Sequence, residues 1–167
     1  MEARFRKLGR TLPPGSNFQF HETELNVDGW DGVVLDMLSI PQGAPHGVGT
    51  KFMAELLAVV DDLGVKLRLE ADPTRKRGDP DLFALARWYC RFGFEMRGLS
   101  LEGRLHMSRD PQEGGRDAAA ILEGYREART CRDLTRETFE GRINVFLSVF
   151  QRVYGEEWER QFRARGF

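Results

Sequence analysis

The residues able to do chemistry gather around one turn. The stretch Ile40-Pro41-Gln42-Gly43-Ala44-Pro45-His46-Gly47-Val48-Gly49-Thr50 places a Gly-x-Gly where an apolar run gives way to a helical pattern. Amides freed by glycine at a helix N-terminus form a ready site for phosphate oxygens, while the prolines of the turn shape it without adding a donor. Upstream, Asp36 interrupts the apolar run Val33-Val34-Leu35 and Met37-Leu38, and an acid there needs a reason. Strand alternation puts it on the face of Leu38 and Ile40. Downstream, Arg75-Lys76-Arg77 reads as a solvated loop or as a contact for phosphates or an acidic acceptor. Tyr89, between Trp88 and Cys90, reads by itself as packing at a helix end.

Other chemistries are disfavoured. No His, Cys, Asp or Glu set has metal-ligand spacing, so no metal is expected. Ser16, Ser39, Ser100, Ser108 and Ser148 lack a nucleophile-elbow context. Cys90 and Cys131 show no CxxC spacing; they read as reduced thiols, with Cys90 filling an apolar helix end. A formal net charge of -1, built from many charges of both signs, argues against nucleic acid as a partner. Neither a signal-peptide pattern nor a bilayer-length apolar window is present, so a soluble cytoplasmic protein without membrane contact is expected.

The elements that must position these residues follow from periodicity. Residues 1–16 are basic, contain Pro13-Pro14-Gly15 and read as an N-terminal arm. Strands are predicted at residues 18–27, with Asp28-Gly29 as a hairpin signal, and at 33–40. A helix from Thr50 carries Phe52, Leu56, Val59, Val60 and Leu63 at helical spacing and ends at Gly64. The alternating strand 65–71 follows, so a right-handed parallel strand-helix-strand unit is expected. Asp79 as N-cap and Pro80 then launch a helix that runs to about Phe92 and stops at Gly93. Strands 94–99 and 105–109 are joined through Glu102-Gly103.

A change to glycine and charge at residues 112–117 marks a domain edge. Beyond it the chain reads as three helices, 118–129, 134–154 and 156–163. The middle one bears Phe139, Ile143, Phe146, Leu147, Phe150, Val153 and Tyr154, a stripe to be buried over the sheet or against a partner. The expectation is an α/β fold: a mixed, twisted sheet flanked by helices in residues 17–111, followed by C-terminal helices in 112–167.

Residues 18–111 resemble the GNAT superfamily of N-acetyltransferases, which use acetyl-coenzyme A as acyl donor. Three features carry the resemblance in order: His46-Gly47-Val48-Gly49 between strand and helix, Trp88-Tyr89-Cys90-Arg91-Phe92-Gly93-Phe94, and the closing His106-Met107-Ser108-Arg109-Asp110-Pro111. The resemblance implies acetyl-CoA as co-substrate, its pyrophosphate on Pro45, His46, Gly47, Val48, Gly49 and Thr50. It implies that exposed amides near Leu38, Ser39 and Ile40 bind the pantetheine arm and polarise the thioester, because the family's strands before and after this helix splay apart at their ends. Tyr89 takes the place of the tyrosine that assists the departing thiolate. Asp36 takes that of an acid that deprotonates the acceptor amine directly or through water, with Glu22, Glu24, Glu70, Asp72, His21 and His106 as alternatives.

Ala44 stands where the family often has Arg or Gln, and Leu82 near where it often has Asn. Too few residues precede Phe18 for the strand and two helices with which the family opens. The acceptor side is therefore expected to be open, which suits a macromolecular amine, or covered by the C-terminal helices. The alternative reading is an inactive binding module that docks to a partner or to a second copy through those helices.

Overall fold

The structure is a computed structural model that describes residues 1–23, 32–41, 43–73, 80–100, 103–128, 131, 133–155 and 160. Its elements in chain order are α1 (Glu2–Gly9), β1 (Asn17–Thr23), β2 (Gly32–Ser39), α2 (Val48–Leu63), β3 (Lys66–Ala71), α3 (Leu82–Cys90), β4 (Glu95–Leu99), β5 (Leu105–Arg109), α4 (Ala118–Glu127) and α5 (Arg136–Tyr154). The five strands form one open mixed sheet in the order β1-β2-β3-β5-β4. β1 and β2 are antiparallel, whereas β2 and β3 are parallel and joined by α2, as the strand-helix-strand pattern predicts. No helix among the described residues is long and apolar enough to cross a membrane. The expected hairpin turn at Asp28-Gly29, the basic run at 75–77, the cap at Asp79, the turn residue Glu102 and the last helix lie wholly or largely outside the described residues.

The chain divides into two compact units, Met1–Leu69 with Ser108–Ala128 and Glu70–Met107 with Arg129–Phe167. In the first, residues expected to be an arm contain α1, whose Phe5 is fully buried and Leu8 nearly so. These two apolar residues, three apart, are all the stripe that a short basic helix needs. Phe5 meets Phe20 at 4.8 Å between ring centroids, Phe20 stacks on Phe18 at 5.5 Å, and Phe18 sets its edge on Phe52 of α2 at 4.9 Å. Gly9 ends α1 against Phe18, where an added Cβ would come within 3.0 Å of the ring. α2 also packs on α4.

α2 ends as its sequence predicts. Gly64 is left-handed, and the Gly64 and Val65 amides close onto Asp61 and Val60 carbonyls at 3.1 and 3.2 Å. The Asp61 side chain is wholly buried one turn from that end. It accepts two bonds from Arg109, at 2.7 and 2.8 Å, and one from the Gln112 amide at 2.9 Å.

In the second unit, α3 begins one residue past the expected start at Asp81, and Asp81 is its N-cap, accepting from the Ala84 amide at 2.8 Å. Pro80 then precedes the cap. Gly93, at φ +85°, stops the turn after α3, as expected. Asp81 also bonds Arg136 of α5 at 2.8 Å, Arg136 lies over the Phe83 ring, and Phe83 meets Phe139 edge-on at 5.4 Å. α5 packs on β4, and of its predicted stripe Phe139 is buried while Ile143, Phe146, Leu147 and Phe150 are half-buried.

Candidate functional site

A helix N-terminus leaves amides without partners inside the helix. At α3, α4 and α5 a side chain answers: Asp81, Asp117 and Thr135 each accept from an amide of the first turn. At α2 the N-cap is Gly47, left-handed at φ +87°, with no side-chain cap and no acid in the first turn. Only glycine takes that conformation cheaply, and it turns the chain from Pro45 and His46 into the helix. The Val48 amide is held by the Pro45 carbonyl at 3.3 Å, and the first helical bond runs from Lys51 to Gly47 at 2.9 Å. Gly43, Pro45, His46 and Gly47 are exposed, Ala44, Val48, Gly49 and Thr50 are half-buried, and Gln42 lies outside the described residues. A Cβ on Gly49 would touch Ile40 at 3.7 Å, which sets the end of β2 beside the start of α2. The result is a solvent-facing helix terminus without an acid in its first turn, where the positive end of the helix dipole favours an oxyanion.

β2 departs from regular alternation at Asp36. Gln19 pairs with Met37 but Phe20 pairs with Leu35, so Asp36 is the extra residue of a β-bulge. Phe18 and Phe20 share the α2-facing side, and their partners Leu38 and Leu35 therefore share it too, although they are three residues apart. Asp36 does not point with Leu38 and Ile40, as unbroken alternation predicts. It emerges on the face of His21 and Val34, where its carboxylate meets His21 Nδ1 at 2.8 Å with both side chains partly exposed. With the proton on Nδ1, Asp36 orients the imidazole and leaves Nε2 as an acceptor. The bulge thus joins two residues that the sequence offers only as separate alternatives.

The bulge also coincides with a change in pairing. Parallel pairs run from Gly32↔Lys66 to Leu35↔Leu69, and β2 continues past the last of them through Met37, Leu38 and Ser39. Leu38 is half-buried opposite Phe18, Ser39 is exposed opposite Asn17, and Ile40 follows half-buried.

The second unit holds the other candidates. Tyr89 sits in the last turn of α3, edge-on to Trp88 at 4.8 Å and to Phe94 at 5.6 Å. Burial pushes its phenol up to about 12, so it stays protonated at neutral pH and is available as a donor. Burial, reinforced by neighbouring Cys131, pushes the Cys90 thiol to about 12 as well, which suppresses the nucleophilic thiolate. Glu70 meets His106 Nε2 at 3.0 Å and Arg104 at 3.1 Å, and Arg104 reaches Asp72 at 3.4 Å. Three of the sequence-level alternatives for a base, Glu70, Asp72 and His106, thus form one partly exposed network around Arg104.

Arg104 was not among the residues marked by type and spacing, although its place two residues before His106 on a strand end is a usable signal. Glu22 is exposed opposite Val33, and Glu24 lies outside the described residues. Leu82, near the position where an amide side chain would stand in the resembled family, is buried in the first turn of α3. No family model matches the chain, and no curated protein matches it.

Proposed function

We propose that this chain is an acetyl-CoA-dependent N-acetyltransferase of the GNAT kind, acting on a primary amine with both substrates bound. The observation that carries the reading is the start of α2: an acid-free helix N-terminus behind the left-handed Gly47, fed by a strand that bulges at Asp36 and runs on past its last parallel pair. The amides that open α2 around Gly47 and Gly49 suit a pyrophosphate, and the stretch of β2 from Met37 to Ser39 suits an extended amide-bearing arm that adds to a strand.

In this reading the acceptor ammonium gives a proton to the His21–Asp36 pair, directly or through water. The free amine attacks the thioester carbonyl carbon, the C–S bond breaks, and the departing thiolate takes a hydrogen bond or a late proton from the Tyr89 phenol. The nitrogen sheds its second proton to solvent as the amide forms and Tyr89 is reprotonated from solvent, so one proton is released net and no covalent enzyme intermediate is needed. Because burial raises the phenol, Tyr89 in this reading acts chiefly as a hydrogen-bond donor to the thiolate and not as its acid. The Glu70–His106 pair is the competing base.

A second reading, a non-catalytic assembly module, is supported by the apolar residues α5 leaves in solvent. Calorimetric titration with acetyl-CoA separates the two. The enzyme reading expects saturable binding, and the absence of any binding at millimolar donor overturns it. With binding established, Tyr89→Phe is expected to lower turnover about 10- to 100-fold with donor affinity nearly unchanged; unchanged turnover removes Tyr89 from the chemistry.

A further inference from the structure

α5 carries two apolar faces, and its own unit uses one. Phe139 is buried against Phe83, yet Val145, Val149 and Val153 are 60%, 54% and 65% exposed. Spaced by four, they form a row along one side of the helix. Valine is a poor choice for a solvated helix position, since its branched Cβ costs rotamer freedom there and gains nothing from water. Gly141, four residues before Val145, compounds the anomaly. It lies inside the helix, and among the described residues nothing comes within 4 Å of an added Cβ. A mid-helix glycine costs about 1 kcal/mol relative to alanine unless something else approaches closely.

The polar ends of this row say what approaches. Glu137 and Arg152 are exposed, and neither is in an ion pair among the described residues. Along the helix they stand about 22 Å apart and within roughly 60° of each other in azimuth, so both flank the valine row. Their midpoint lies beside Val145. A two-fold axis there lays Val145 against its counterpart and Glu137 of each copy toward Arg152 of the other. The face is self-complementary in charge at its ends, which is what an isologous contact demands.

We propose that α5 pairs antiparallel with α5 of a second copy of this chain, about a two-fold axis at Val145. One helix pair buries less than a standard interface of about 1,600 Å², so a reversible dimer is expected. The inference is independent of the acetyltransferase reading.

Sedimentation equilibrium of the full chain from about 1 µM to 1 mM tests it. A reversible monomer-dimer equilibrium is expected in the wild type. Val149→Glu, at a position already exposed and with folding checked by circular dichroism, is expected to raise the dimer dissociation constant about 100-fold. Glu137→Arg and Arg152→Glu each weaken the dimer about fivefold, and the two together restore wild-type affinity, because the antiparallel register re-forms both ion pairs in reversed sense. A wild type that is monomeric throughout leaves the face to a different protein or to none, and overturns the proposal. A dimer indifferent to Val149→Glu, or a double reversal that fails to recover, overturns it as well.

Discussion

α2 and α3 each follow a strand, yet their ends obey opposite rules. α3 opens on the Asp81 carboxylate, which caps the Ala84 amide, and carries Arg87 in its last turn. Both charges oppose the helix dipole, and both arise from neighbours in sequence. α2 has no acid at its start, no base in its last turn, and buries the acid Asp61 where the dipole is negative. Its N-terminus is satisfied only from outside the helix, and its C-terminal acid is satisfied by a strand that comes much later in the chain. A helix capped by its own sequence is stabilised locally; one without compensating charges relies on a backbone turn at its start and on tertiary contacts at its end.

The largest effect is expected at the repaired end. Asp61→Ala takes the doubly bonded carboxylate away from the buried Arg109, a loss of about 3–5 kcal/mol measurable as a lower urea midpoint. Replacing both partners, as Asp61→Leu with Arg109→Met, is expected to recover most of it, since the penalty belongs to the stranded charge and not to the absent pair. If the single and double variants are equally unstable, packing rather than charge repair holds that end of α2.

The other end separates stability from binding. Gly47 and Gly64 both sit at positive φ, +87° and +65°, one at each terminus of α2. A side chain at either position costs about 1–2 kcal/mol of strain. Gly47→Val is expected in addition to weaken acetyl-CoA at least tenfold, because it turns the amides away from the phosphates. Gly64→Ala is expected to leave donor affinity unchanged. Equal effects of the two on affinity would mean that the loop acts through fold stability alone.

The same contrast explains what was legible in the sequence. Everything decided by local pattern could be read: the parallel unit around α2, the stops at Gly64 and Gly93, and the closing strand pair. The positions of Asp36 and α1 could not be read. A bulge has no residue signature, and one inserted position reverses every side chain beyond it, so alternation assigned Asp36 to the face of Leu38 when it belongs with His21. In α1 the Pro13-Pro14-Gly15 punctuation and the basic charges outweighed Phe5 and Leu8, whose value comes from Phe20 across the core. That Asp81 caps α3 could not be read either, since its bond to Arg136 comes from more than fifty residues away. The glycine turn was visible because its geometry is a backbone requirement; its separation from ordinary tight turns rests on the missing cap, which only coordinates reveal.

The smallest effect is expected at the conforming helix. Asp81→Ala removes the cap of α3 and should cost about 1 kcal/mol at neutral pH. Asp81→Asn keeps a capping oxygen and should cost only a few tenths, because the Arg136 pair is largely solvent-exposed and adds little by itself. Acid makes the distinction sharper. The hydrogen bond from Arg136, then that from the Ala84 amide, holds the Asp81 carboxyl below its usual 3.8. Its contribution is therefore complete above about 3.8 and is lost as pH falls through the lower folded value. Wild type and Asp81→Ala should converge in stability below that point and separate above it, in a series of urea unfolding curves taken from pH about 2 to about 7. A constant gap across the series would show that Asp81 acts at the start of α3 through packing and not through its charge.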